Sequence, residues 1–425
     1  MRIHRTSGRR VGTLGPMESP GPAGAGGPLS RANAALQRRR VDAARSGAHS
    51  EDLAARLGVV LGAAFTVCFL TGVLSHLHQH PVTWFPIPPV PAGAYRVSQG
   101  MHVATGLASI PLLLAKLYVV SPHLPRWPPV DDALDAFARL TLLPLVGGSV
   151  LLLFTGAANI ASWYPWDFFF PVGHWWAAWL VIGAMLVHVG LQLPVLRRVF
   201  AAGADPAGPG EGVAEPDGGA DRRRVSRRGV IAFAAGSAGL LTLFTAGQTF
   251  PPLRRLTAFA PRRPDIGPQG FPVNRTAVAA GTESLATDGD YRLVVVGPGG
   301  DESSLTLGQL RELPRVEREL PIACVEGWSA SVHWAGVTLS SVLEEAGIPV
   351  ADRRDREVRV SSAQKRGLYG SSTVDPTLAS RDDCLLALEA NGEALHPDHG
   401  APLRLIAPNR PGVLQTKWVT SLEVL

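Results

Sequence analysis

Two sets of residues in this chain could do redox chemistry. The first is Cys324, in the run Cys324-Val325-Glu326-Gly327-Trp328-Ser329. A thiolate is a soft, charged ligand suited to a transition metal. A lone cysteine is more often a small buried apolar side chain, and in an oxidising exterior Cys324 could instead pair with Cys384. The residues alone leave all three readings open. The remaining cysteine is Cys68, and the chain holds no CxxC or CxxCH. Neither a zinc ribbon nor a covalently attached c-type haem is therefore encoded, and no iron–sulfur ligand set is present.

The second set is histidine. His102, His174 and His188 lie in or at the ends of long apolar segments, where an ionisable group is costly and so a functional candidate. His174 and His188 are 14 residues apart, almost four helical turns, which puts them on one helix face about 21 Å apart along the axis. His102 and His174 open their segments at the same expected depth. They can meet inside a bundle, the arrangement that bis-histidine haem b requires. His76 ends its segment at that same level and could replace either. His188 has no partner at its own depth, so one outer haem b is expected and an inner one is left open. His78, His80 and His123 read as solvated loop residues.

These side chains need elements to position them. Five apolar segments lie near residues 57–75, 101–120, 140–160, 175–195 and 229–248. Each is close to the roughly 20 residues that cross a hydrocarbon core, and none has the polar face of a soluble helix. Ten arginines precede the first segment and seven precede the fifth, whereas the loop Ala161–Gly173 has no Lys or Arg. That alternation predicts a multi-pass plasma-membrane protein with a cytoplasmic N-terminus and an extracytoplasmic C-terminal domain. Trp84, Tyr95, Trp163, Tyr164, Trp166, Trp175 and Trp176 fall on the predicted outer side, as an interfacial aromatic belt does. The formal charge of +5 comes with 18% charged residues, its arginines beside apolar runs, so it marks membrane lipid and not a nucleic-acid partner.

The expected organisation is a disordered cytoplasmic tail over 1–52, a four-helix membrane domain over 53–198, a cytoplasmic linker over 199–228, a fifth transmembrane helix over 229–250 and a globular domain over 262–425. The tail is rich in Gly, Pro, Ala and Arg and has no apolar periodicity. Ser226-Arg227-Arg228-Gly229, leading into small and apolar residues, looks like a twin-arginine export signal placed internally; a positive-inside anchor reads equally well. In the last part, YRLVVVG, EVRVSS and PLRLIAP read as strands and LSSVLEEAGI as a helix.

Residues 53–198 resemble the four-helix b-type cytochromes that serve membrane formate dehydrogenases and hydrogenases, on the strength of His102, His174 and His188. The family's first-helix histidine near the cytoplasmic side is missing here. CVEGW, the following W-x-G-V, and the tail HGAPLRLIAPNRPGVLQTKWVTSLEVL resemble the sulfite-oxidase superfamily of molybdopterin-binding domains, with a nearer likeness to the bacterial methionine-sulfoxide reductase catalytic subunits. The resemblance covers roughly residues 270–425. It implies a membrane α-helical bundle of about five transmembrane helices joined to a mixed α/β sulfite-oxidase-like molybdopterin domain.

The resemblance also implies roles. Cys324 would be the thiolate on molybdenum and the catalytic residue. Arg404, with His399 beside it, would hold the phosphate end of the pterin. Gln415, Thr416 and Lys417 would line the same pocket, with Asn274 at its entry and Ser361 or Ser362 adding a hydroxyl. Sulfite oxidases flank the cysteine with arginine; here Ala323 precedes it and Glu326 follows, which points to a neutral small-molecule substrate such as a sulfoxide. His333, Tyr369 and Asp375 have no assigned role. Where the family's tail has an aromatic–basic pair after the proline, this chain has Asn409-Arg410-Pro411. The expected function is a membrane-bound molybdopterin-dependent oxidoreductase exchanging electrons with a quinone or a redox partner protein. The alternative is a haem-binding membrane protein whose outer fold docks a partner without catalysis.

Overall fold

A computed structural model describes residues 47–82, 84–124, 130–168, 170–202, 226–365 and 369–425. The expected tail up to residue 46 and most of the linker, 203–225, lie outside these. Among the described residues, five helices are long and apolar enough to cross a membrane: α1 (Glu51–Gln79), α2 (Ala94–Val120), α3 (Ala133–Ile160), α4 (Phe170–Ala202) and α5 (Arg227–Ala246). The shortest, α5, has 20 residues, about 30 Å of helix. Each of α1 to α4 runs several residues beyond its apolar stretch, and in α1 and α3 a capping side chain sets the first turn. Ser50 caps α1 by accepting from Leu53 N, and Asp132 caps α3 by accepting from Asp135 N.

Helix α1 packs along α2, α3 along α4, and α5 against α2. That makes α2 the most enclosed of the five. The outward faces carry Leu70, Leu140, Leu143 and Leu186, all well exposed, as lipid contact requires. Ser226 caps α5 and Arg227 pairs with Asp52 in the first turn of α1, so the expected export signal also has a structural role.

The rest forms two five-stranded sheets. The first has the order β2-β1-β10-β5-β6, built from β1 (Arg292–Val296), β2 (Glu302–Thr306), β5 (Val358–Ser362), β6 (Ser371–Val374) and β10 (Val419–Val424). Its β1–β10 pair is parallel and its other pairs are antiparallel. The second joins β3 (Val316–Ala323), β4 (Ser329–Thr338), β7 (Leu385–Ala390), β8 (Glu393–Ala394) and β9 (Arg404–Ile406). Helix α6 (Leu339–Glu345) buries Leu339, Val342 and Leu343 against Leu293, Val358 and Leu422 of the first sheet. Phe271, Trp328 and Trp334 fill a second core behind β3 and β4.

The globular domain rests on one end of the bundle, on the α1–α2 loop, the α3–α4 loop and the chain just after α5. Asn409 is the clearest tie. Its amide N–H donates to Ala92 O, its side chain donates to Pro88 O at 2.7 Å, and its Oδ1 accepts from Tyr95 N at 2.7 Å.

Candidate active site

Cys324 opens the turn between β3 and β4. Cys324 N–H donates to Trp328 O at 2.9 Å and Gly327 N–H donates to Cys324 O at 3.0 Å. Gly327 has φ +96°, the left-handed residue such a three-residue hairpin loop needs. Every described cysteine is free, so the alternative Cys324–Cys384 disulfide is not formed; Cys384 lies in the other core, with the first sheet. Burial, and then the nearby Glu326 carboxylate, push the Cys324 thiol well above its ordinary value, while Arg262 and Lys417 draw it down.

Glu326 is compensated. Its carboxylate pairs with Arg262 at 2.8 Å and accepts from Trp328 Nε1 at 3.1 Å. Ser162, from the α3–α4 loop, donates to it at 3.4 Å. The turn is thus less acidic than the sequence implies, because a linker arginine offsets the carboxylate. Sequence reasoning missed Arg262, which lies 64 positions before Glu326 in a Pro-rich linker and has no motif around it.

A parallel bridge from Ala323 to Pro411 brings the C-terminal segment alongside this turn. Arg404, on β9, is 3% exposed. One guanidinium nitrogen donates to His399 O at 3.0 Å, Cζ lies 5.4 Å from the Trp334 ring centroid, and among the described residues Nε has no partner. Burial lowers Arg404 to about 9, and the Cys324 thiolate form opposes that. Lys417 donates to Arg275 O at 2.6 Å, Asp398 O at 2.8 Å and Asn274 Oδ1 at 3.2 Å. Burial, then Arg404, hold it well below the ordinary lysine value. Gly400 has φ +112°, and a Cβ there would stand 2.9 Å from Lys417 Cβ.

The other expected pocket residues divide. Gln415 is buried, its amide nitrogen donating to Ala407 O and Arg410 O and its Oε1 left without a partner. Thr416 shares a 2.7 Å hydrogen bond with Ser372. Ser362 donates to Lys417 O at 2.7 Å, so it braces the pocket; no side-chain hydrogen bond of Ser361 is seen, only its carbonyl accepting from Thr420. His399 stacks on Phe271 with centroids 3.7 Å apart, and its Nε2 donates to Pro268 O at 2.8 Å. Burial, then Arg404, depress it to about 3. Its Nε2 is engaged by Pro268 O, and its carbonyl accepts from Arg404. Tyr369 is raised by burial and by nearness to Cys324. Asp375 caps a helical turn by accepting from Leu378 N, and His333 is exposed beside Glu319.

In the bundle, the His102 and His174 rings lie with centroids 6.1 Å apart at 71°. His102 Nδ1 bonds Cys68 O at 2.8 Å, and a carbonyl only accepts, so Nδ1 carries the proton. His174 Nδ1 bonds Thr155 Oγ1 at 2.9 Å, while that hydroxyl donates to Leu151 O at 2.7 Å. Thr155 therefore accepts, and His174 too is protonated on Nδ1. Both Nε2 atoms are left with a free lone pair. His76 stacks on Trp175 at 3.7 Å and does not join the pair. Among the described residues no aromatic or histidine ring pairs with His188. His78 is a correction: it lies inside α1, 5% exposed, its ring 5.0 Å from Tyr95, because the docked domain covers that end of the helix. His80 is exposed, as expected.

Residues 280–425 match the family described as the oxidoreductase molybdopterin binding domain. Human mitochondrial sulfite oxidase is 31% identical over 159 residues, covering 32% of this chain and 29% of that protein. The putative protein-methionine-sulfoxide reductase subunit YedZ1 of Azospira oryzae is 32% identical over 134 residues, covering 32% of this chain and 48% of that protein. Among solved structures, the sulfane dehydrogenase SoxCD from Paracoccus pantotrophus is 27% identical, covering 32% of this chain and 38% of its own, with a TM-score of 0.29. The chain thus spans under half the length of these curated relatives. The C-terminal part of this chain is a molybdopterin-binding oxidoreductase domain of the sulfite-oxidase superfamily, joined to five helices able to cross a membrane.

Proposed function

We propose that the chain is a membrane-bound molybdenum-cofactor oxidoreductase. It would connect a membrane quinone or redox partner protein, through one haem b, to an extracytoplasmic small-molecule substrate of the sulfoxide class. The N-terminus would be cytoplasmic, and Ser226-Arg227-Arg228 would direct twin-arginine export of the folded domain. The observation that carries the reading is the pairing of two prepared sites in one chain: a buried thiol near a buried arginine whose Nε has no partner among the described residues, and two imidazoles with matched tautomers.

The residues fit both groups. Arg404 Nε, Arg275 Nε and Gln415 Oε1 are buried polar atoms without partners, which an internal fold rarely tolerates and which a pterin phosphate and its polar ring would satisfy. A guanidinium and an ammonium are what a dianionic phosphate needs. The His102 and His174 imidazoles, with ring centroids 6.1 Å apart, would hold the haem iron. Their Nδ1–H groups are held by Cys68 O and Thr155, the outer-sphere arrangement that fixes a ligating imidazole.

When bound, the molybdenum cofactor supplies two-electron and oxygen-atom chemistry and haem b supplies one-electron carriage. The chain's own residues prepare for this. The Cys324 thiol, held protonated by burial, releases its proton on ligation. Lys417 is oriented by Asn274, Arg275 and Asp398. Arg404 is oriented by His399 and Trp334. Trp328 and Arg262 turn the Glu326 carboxylate away from bare exposure beside the thiol, and Ala323 leaves the other flank uncharged. A neutral substrate suits such a pocket better than an anion.

The test is metal analysis of detergent-purified full-length protein from a host able to make the cofactor. About one molybdenum and one iron per chain is expected. Cys324→Ser should lose molybdenum and activity and keep iron. Molybdenum binding and turnover unchanged in Cys324→Ser would overturn the enzyme reading, and iron absent from wild type would overturn the haem.

A further inference from the structure

The turn that carries Cys324 is held from outside its own domain. Gln99, on α2, is 6% exposed. Its Nε2 donates to Val325 O at 3.1 Å, and its Oε1 accepts from Ser75 Oγ of α1 at 2.8 Å. Both ends of the amide are fixed, so its orientation is set. Thr249, just beyond α5, donates to Gly327 O at 2.8 Å, and Ser329 N–H donates to Gln248 O at 2.8 Å. A Cβ on Gly327 would stand 2.9 Å from Val103 Cγ2 of α2. Three alternate positions around the thiol therefore face α2 and the chain after α5: Val325 through its carbonyl, Gly327 through its carbonyl and its missing side chain, and Ser329 through its amide.

We propose that Gln99 is a positioning residue for the Cys324 turn, and that the outer end of α2, with Val103 and the chain after α5, completes the thiolate pocket. The proposal rests on the reading of Cys324 as the metal ligand. A domain of this family could fix the turn with its own hairpin bonds alone. Here the hairpin supplies two, Cys324 N to Trp328 O and Gly327 N to Cys324 O, and Gln99 of α2, with Gln248 and Thr249 just after α5, supplies further ones. The bond from Gln99 cannot form unless the two parts are docked. The thiol's placement then depends on a membrane helix, and fusion of the parts in one chain has a structural purpose at the site itself.

The experiment compares wild type, Gln99→Leu and Gly327→Ala as full-length proteins. Cofactor-free protein, from a host unable to make the cofactor, is treated with a maleimide, and labelling at Cys324 and Cys384 is followed separately by mass spectrometry. Loss of one buried hydrogen bond should loosen the turn enough to speed Cys324 labelling about five- to tenfold. Gly327→Ala should do the same by displacing the turn from Val103. Cys384, in the other core, should label as slowly as in wild type. In molybdenum-loaded Gln99→Leu, the electron paramagnetic resonance signal of the metal should shift at unchanged metal content. Unchanged Cys324 labelling in both variants would overturn the proposal. So would equal acceleration at Cys324 and Cys384, which marks general loosening. If wild type binds no molybdenum, the proposed function fails while the labelling result still decides the positioning role.

Discussion

Thr155→Val is the most searching perturbation of the bundle. Valine keeps the shape and branching of threonine and deletes one hydroxyl. That hydroxyl donates to Leu151 O at 2.7 Å within α3 and accepts from His174 Nδ1 at 2.9 Å. The bond to Leu151 is a local back-bond to a carbonyl already used by the helix, so losing it costs α3 little. The contact to His174 is different. Without it, a buried imidazole N–H has no acceptor, a penalty of about 1–3 kcal/mol. At about 1.4 kcal/mol per tenfold, haem affinity should fall roughly 5- to 150-fold, a range that overlaps the about 10–100-fold typical of lost outer-sphere partners. The assay is haem titration of the full-length protein in detergent, followed by the Soret band, with a potentiometric midpoint alongside. Thr155→Ser should restore both. Wild-type affinity and midpoint in Thr155→Val would refute the tautomer assignment, and with it the claim that His174 is held ready for iron.

Other outcomes follow from the outer domain and the topology. Arg404→Ala should lower molybdenum content more than about tenfold, because the charge-assisted bond lost is worth about 1.5–3 kcal/mol; metal analysis of purified protein checks it. His399 titrates near 3 in the folded chain against 6.5 ordinarily, so between these values the unfolded state binds more protons. Stability should therefore be lost as pH falls from 6.5 toward about 3 and be flat with respect to this group above 6.5. His399→Gln should reduce that slope in thermal melts. Alkaline phosphatase fused after Leu425 should be active and a fusion before Glu51 inactive, and Arg227→Lys with Arg228→Lys should leave the globular domain protease-protected inside, whereas an anchor function alone would leave its placement unchanged.

What the sequence reveals and what it hides divide along range. The apolar segments are local, and their five helices are found within several residues of the expected ends. His102 and His174 stand out because charge-capable side chains are rare in such runs. Cys324 stands out through a short motif. Hidden were the partners that decide how these groups behave: Cys68 O is 34 residues from His102, and Thr155 is 19 from His174. Hydropathy marks both as helix interior and nothing more. His78 reads as a loop residue because the apolar stretch ends near 75, yet α1 continues to Gln79 and the docked domain buries the ring. His399 reads only as a residue beside Arg404 at the phosphate end of the pterin; the stack on Phe271 and the bond to the Pro268 carbonyl come from residues more than 100 positions away.

The departure from the family pattern at Asn409-Arg410 finds its cause in the same long-range contacts. Asn409 adopts φ 51°, a conformation asparagine tolerates better than most side chains. All three of its polar groups reach the α1–α2 loop or the start of α2, at Ala92, Pro88 and Tyr95. A phenylalanine at this position could offer neither the second donor nor the acceptor. Arg410 turns the other way, into the domain, and donates to Thr373 O at 2.7 Å. The tail thus alternates between two tasks: Asn409 holds the membrane helices, while Pro411, two residues on, bridges to Ala323 beside the thiol. A contact on α2 and the seat of Cys324 are therefore separated by a few covalent bonds along one rigid segment. Gln99 approaches the same turn from its other side through Val325. With the turn gripped from both flanks by one helix, displacement of α2 cannot leave the Cys324 pocket unchanged, and the bundle is part of the site's architecture as well as its anchor.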